Sequence, residues 1–172
     1  MSRFSVWLLL SLGIEAGGHG HSEAPPLITL FSHIKQVIPD SPPLVAAGGL
    51  ANGAHVAAML VLGASGGILG TRYLVTAECI YTPNMKEAVL AATHSVRSFV
   101  FDELRKFPWP PGIDGRALYN KTLEDAANGV DFEEQQKRFA EGAKNKDTSR
   151  IAVWSGASVG LVNEAGGAEV CV

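Results

Sequence analysis

Three glycine-rich turns carry most of the chemistry that this chain of 172 residues suggests. They are Glu15-Ala16-Gly17-Gly18-His19-Gly20-His21, Ala46-Ala47-Gly48-Gly49-Leu50 and Gly67-Ile68-Leu69-Gly70-Thr71-Arg72. Each follows a short stretch that reads as a strand. In a parallel α/β fold, ligands bind where the carboxyl ends of strands give way to loops. A residue without a Cβ lets backbone N–H groups approach an anion closely. Two such turns on adjacent strands make a cradle for a phosphate, and the Thr71 hydroxyl adds a donor. Any single turn serves equally well as a tight strand-to-helix connection. Their recurrence after three successive strands points to a ligand.

His19 is the candidate for proton transfer, because an imidazole exchanges a proton near neutral pH. Glu15, His19 and His21 lack a familiar ligand spacing, so no metal is expected. His33, His55 and His94 read as surface or helix residues, Arg72 as packed on the surface or else paired with a carboxylate or the phosphate, and Cys79 as a small apolar residue. P-loop and Gly-x-Gly-x-x-Gly patterns are absent.

The elements that would position these residues alternate. Within Met1 to Gly13 one positive charge is followed by an apolar run, as expected of a strand covered on both faces. At about eight residues it is too short to cross a bilayer, and no clean cleavage site follows it, so a strand is favoured over a secretory signal. A cytoplasmic location is the expectation. Pro26 suits the first turn of a helix whose apolar positions run from Leu27 to Ile38. Leu44 to Ala47 is a second strand. Asn52 is a good N-cap for a helix from Gly53 to Leu62. Gly67 to Leu69 is a third strand, and a helix centred on Met85 to Thr93 follows. This alternation predicts a parallel α/β sheet. Beyond residue 94 the pattern changes to a rigid loop, Phe107 to Gly112, and helices at Leu123–Gly129 and Phe132–Lys144. That half reads as an α-helical extension, with a frayed tail from Glu164.

Composition narrows the classes. The chain is 47% hydrophobic, enough for a packed core, so disorder is excluded for most of its length. A net charge of -3 argues against a nucleic-acid partner. Two cysteines, Cys79 and Cys171, cannot build a disulfide framework.

Taken in order, these segments resemble one family. Ile14-Glu15-Ala16-Gly17-Gly18-His19 resembles the histidine motif of the nitronate monooxygenases. Leu44 to Gly53 resembles their next strand and turn, Leu62 to Leu74 their last barrel strand, and Trp109 to Leu118 their fungal branch. Coverage runs from about residue 13 to residue 164. The resemblance implies a TIM barrel with non-covalently bound FMN. Ala47, Gly48, Gly49, Gly70 and Thr71 would hold its phosphate, and Gly18 and His19 would lie by the flavin. His19 would remove the proton next to a nitro group. With molecular oxygen, the nitronate would be converted to a carbonyl compound and nitrite. FMN-dependent enoyl reductases share the glycine turns and remain an alternative. Only about the last three β/α units are expected, residues 13–93, with residues 1–12 outside the family and 94–172 as the extension. Such a partial (β/α)8 barrel cannot close by itself. Its open sheet edges suggest self-association, or an inactive remnant with an interaction role.

Overall fold

The computed structural model describes residues 9–170. Two three-stranded sheets organise it. The first is parallel, in the order β1 (Leu9–Leu12), β3 (Leu44–Ala47), β4 (Gly66–Ile68). Leu12 pairs with Ala47, and Ala47 with Ile68, so the three strands end side by side. Helix α1 (Leu27–Val37) and helix α2 (Gly53–Val61) supply the returns that parallel pairing demands. Leu27 and Phe31 of α1 and Met59 of α2 are buried with Leu44, Ala46, Leu50 and Leu69 in one core. The Asn52 side chain accepts from His55 N–H and caps α2 as expected. The opposite face of this sheet leaves Leu10, Leu12 and Ile68 exposed.

The second sheet is antiparallel, in the order β2 (Gly18–His21), β6 (Ile113–Leu118), β5 (Ser95–Ser98). Helices α4 (Val100–Arg105), α5 (Lys121–Ala127) and α6 (Phe132–Asn145) cover it with a core of Phe101, Leu104, Ala117, Leu123 and Phe139. Helix α3 (Pro83–Ala91) helps form a third cluster with Val75, Val89, Leu118, Val153, Val159 and Val162. The expected strand–helix alternation and all three parallel strands are present.

The purely helical reading of residues 94–172 is corrected, because β5 and β6 lie within it. Their sequences conceal them. Arg97, Asp114 and Arg116 interrupt any apolar alternation, yet Arg97 and Asp114 are both buried to a tenth or less exposure and form an ion pair. Buried charges of this kind are tolerated only when paired. β2 was equally hidden, since Gly-His-Gly-His has no strand propensity of its own. Pairing with β6 holds it in place. The boundary expected at residue 12 also changes meaning, because residues 9–12 are an integral strand of the parallel sheet. Residues 1–8 and 171–172, including Cys171, lie outside the described residues. The expected fraying from Glu164 is not seen through residue 169. Ala77 N–H donates to Gly166 O, and Ala168 N–H donates to the Glu78 carboxylate. Among the described residues, no helix is long and apolar enough to cross a membrane.

Short polar contacts join the two sheets. Arg97 and Arg116 both donate to Ile14 O, at 3.5 and 3.4 Å. Ala157 N–H donates to Glu15 O at 2.8 Å, and Gly156 N–H to Thr71 Oγ1 at 2.7 Å. Glu15 itself turns inward, where both carboxylate oxygens accept from Leu27 N–H at the start of α1. That satisfies a donor which the helix leaves unpaired.

Candidate functional site

The three glycine turns meet. Ala16 and Gly17 from the first, Ala47, Gly48 and Gly49 from the second, and Gly70 and Thr71 from the third line one cavity of about 190 Å³. Leu10, Leu12 and Ile68 form its apolar floor. The backbone explains two of the glycines. Gly48 has φ +96° and Gly49 φ +74°, a region that costs other residues about 1–2 kcal/mol. A Cβ on Gly48 would also stand 3.0 Å from Gly13 O. Gly70 is different. Its φ is -97°, and a Cβ there would meet no protein atom within 4 Å. Neither its φ nor a neighbouring protein atom requires glycine there.

The cradle has donors to offer. Among the described residues, the Gly48 and Gly49 N–H groups meet no protein acceptor. Thr71 is buried, and its hydroxyl oxygen is occupied as an acceptor from Gly156. Its own hydrogen stays available for donation. At about 190 Å³ the cavity falls below the roughly 300–1,000 Å³ that encloses a whole ligand. It suits a phosphate and the start of its chain, not a complete three-ring flavin.

Gly18 and His19 do not line this cavity. Directly after Gly17 the chain enters β2, and His19 faces the second sheet opposite Gly115. His19 Nε2 lies 2.9 Å from Asp102 Oδ2. The ring stacks on Trp109 at 4.4 Å between centroids, and Trp154 tilts against it at 4.6 Å. Gly115 makes room for this cluster, since a Cβ there would fall 2.3 Å from the Trp154 ring and 3.2 Å from His19 Nε2. Asp102 and Trp109 also line a separate cavity of about 410 Å³ with Phe99, Glu103, Lys106, Phe107 and Pro108.

Sequence reasoning missed Asp102, Trp154 and the buried cations. No local pattern marks them, because Asp102 lies 83 residues from its histidine partner. Trp109 was visible only as part of a proline-rich loop. Arg97 donates to Asp114, to the Asp114 carbonyl and to Gly20 O, and so ties β2, β5 and β6 together. Burial, and next the Arg97 charge, push Arg116 below its ordinary value. Arg72 is buried rather than superficial, and its guanidinium donates to Glu164 O and its carboxylate. Two Gly-x-Ser-x-Gly runs occur, at 63–67 and 156–160. Neither is a nucleophile elbow, which needs serine between a strand and its following helix. Ser65 precedes β4, and Ser158 follows no strand. Among the described residues, no group of three or more His, Cys, Asp or Glu is placed to hold a metal ion.

The family model of nitronate monooxygenase matches residues 8–169. The chain belongs to the nitronate monooxygenase family. The match takes in β1, so the N-terminal strand belongs with the family segment rather than outside it. A nitronate monooxygenase of Neurospora crassa is 35% identical over 91% of this chain and 44% of its own length. Nitronate monooxygenase npaC of Metarhizium robertsii is 36% identical over 96% of this chain and 50% of its own. The chain thus spans about half the length of the curated relatives it matches. Among solved structures, a nitroalkane oxidase from Streptomyces ansochromogenes superposes with a TM-score of 0.71 at 24% identity, covering 93% of this chain and 48% of that one. FabK from Thermotoga maritima gives 0.70 at 23% identity, with 93% and 50% covered. Both likenesses speak to the fold. Nitronate monooxygenases are oxidoreductases and in general flavin-dependent.

Proposed function

We propose that this chain provides the phosphate-binding end and the proton-accepting histidine of an FMN-dependent nitronate monooxygenase. The observation that carries the reading is the meeting of three glycine turns around one cavity. In it, the chain is about the last three β/α units of a (β/α)8 barrel, whose phosphate sites characteristically lie on the loops after the seventh and eighth strands. Gly48 and Gly49 present N–H groups to the phosphate, Thr71 presents its hydroxyl, and Ala47 and Gly70 leave room. Bound FMN supplies the electron-transfer chemistry that, with molecular oxygen, takes a nitronate to a carbonyl compound and nitrite.

The chain's own residues handle the proton. His19 accepts it from the carbon bearing the nitro group, and the electron pair of the broken C–H bond delocalises onto that group. Trp109 stacks on the ring and Trp154 tilts against it, which leaves the His19 side chain only 20% exposed. A cavity of about 410 Å³ beside Asp102 and Trp109 is large enough for a small nitro compound, and it lies next to His19's partners while His19 itself is not among its lining residues.

The test is to mix the purified chain with FMN, remove free flavin, and assay nitrite release from a preformed alkyl nitronate in air. Retained flavin absorbance with nitrite release supports the reading. A colourless protein that releases none overturns it.

One observation favours a second reading, an interaction element. Leu10, Leu12 and Ile68 leave an apolar face on a sheet whose outer strands, β1 and β4, have open edges among the described residues. Size-exclusion chromatography separates the two, since a compact monomer removes self-association.

A further inference from the structure

The surroundings of His19 specify which of its nitrogens can act. Asp102 sits in α4 with its side chain only 6% exposed, against 20% for His19. The two Asp102 oxygens have different partners. Oδ1 accepts from the Arg105 guanidinium, while Oδ2 faces His19 Nε2 at 2.9 Å. Arg105 is itself held over the Trp154 ring, 5.3 Å from its centroid. The carboxylate is therefore fixed from one side and aimed at the imidazole from the other. A carboxylate can only accept a hydrogen bond, so the hydrogen resides on Nε2. Nδ1 then keeps its lone pair, and among the described residues it has no hydrogen-bond partner.

We propose that Asp102 is a positioning residue for proton abstraction. It holds the Nε2–H of His19, fixes the tautomer and ring angle, and leaves Nδ1 as the atom that takes the substrate proton. In that step the C–H bond next to the nitro group breaks and an Nδ1–H bond forms. The electron pair stays with the substrate as the nitronate. The resulting imidazolium is stabilised through Nε2 by the Asp102 charge, as for histidine bases oriented by a buried carboxylate. The tryptophans restrict ring rotation but cannot choose between the nitrogens. Asp102 makes that choice. The proposal rests on the reading of His19 as the base.

Two measurements test it, and the first needs neither flavin nor turnover. Nitrogen–proton NMR of the wild-type chain, with the ring signals assigned through His19→Asn, should show a slowly exchanging proton on Nε2. Asp102→Asn should abolish its protection while circular dichroism stays that of the folded chain. A neutral ring carrying its hydrogen on Nδ1, or Nε2 exchange unaltered by the substitution, overturns the proposal. The second compares two substrates on the FMN-loaded chain. A neutral nitroalkane needs a base, whereas a preformed nitronate has already lost its proton. Asp102→Asn should lower nitroalkane turnover by about tenfold or more, up to the roughly 10²–10⁴-fold that a general base supplies. Nitronate turnover should fall by a clearly smaller factor, so the ratio of the two turnovers is the readout. An equal fall on both substrates assigns Asp102 a merely structural role and overturns the proposal. Absence of any nitronate turnover by the parent defeats the functional reading instead, and the NMR result then decides the positioning claim by itself.

Discussion

The parallel and antiparallel sheets build their sites from different materials. Around the parallel sheet, the cradle is made of backbone. Its donors are amides joined by the Thr71 hydroxyl, its shape follows from positive φ at Gly48 and Gly49, and each contributing turn is contiguous in sequence. Around the antiparallel sheet, the histidine site is made of side chains. His19, Asp102, Trp109 and Trp154 come from four separate segments and meet only after β2 has paired with β6. A backbone site is declared by the residues that permit the backbone to adopt it. A side-chain site is declared only by the fold.

The comparison also asks whether the two regions are energetically one. Phe31 and Phe101 are each fully buried, one in the core of each sheet. Replacing either with alanine should cost about 3–5 kcal/mol. The contacts of Ile14, Glu15 and Thr71 with the second region argue for a single cooperative unit. Urea unfolding followed by tryptophan fluorescence and by far-ultraviolet circular dichroism should therefore give coincident curves in both variants. Fluorescence that responds to Phe101→Ala and ignores Phe31→Ala would split the molecule into two independent halves.

A smaller effect separates two kinds of glycine within the cradle. Gly48→Ala should destabilise the chain by about 2 kcal/mol, from the unfavourable φ and the contact with Gly13 O. Gly70→Ala has neither problem and should leave stability within about 0.5 kcal/mol, while weakening FMN binding. Denaturant midpoints and flavin titration on the same two variants measure this. A large stability loss at Gly70 would mean that its glycine serves the fold alone.

The smallest effect lies on the histidine-bearing side, where Asp125 of α5 pairs with Arg138 of α6 and with Arg150. Hydrogen bonds from Arg150, and then from Arg138, hold the Asp125 carboxyl below the usual carboxylate range. A depressed folded value means stability present above the unfolded value of about 4 and lost as pH falls through the folded one. Asp125 is half-buried, so Asp125→Asn should cost no more than about 1 kcal/mol at neutral pH. The parent and variant should converge in acid. A deficit that persists at low pH would trace the effect to packing between α5 and α6 instead of charge.

These contrasts explain what could be read before folding. The strands Leu44–Ala47 and Gly66–Ile68 were legible because an apolar run ends at glycine, and α2 because Asn52 announces its start. The positions of Ala47, Gly48, Gly49, Gly70 and Thr71 in one cavity followed from the strand order. β2, β5 and β6 were not legible, because their stability comes from mutual pairing and from charges neutralised across strands. Asp102 had no signal at all. It looks like an ordinary acidic residue on a short helix, and only the chain's path brings it to His19. The same path carries His19 away from the cavity lined by Gly17, two residues before it.

The central claim is that the cradle recognises a phosphate, so the most direct measurement is a paired titration of the chain with FMN and with riboflavin, its counterpart without phosphate. Flavin fluorescence should change on adding FMN and respond far more weakly to riboflavin at the same concentration. Equal responses to the two, or none to FMN, would contradict a phosphate site built from these turns.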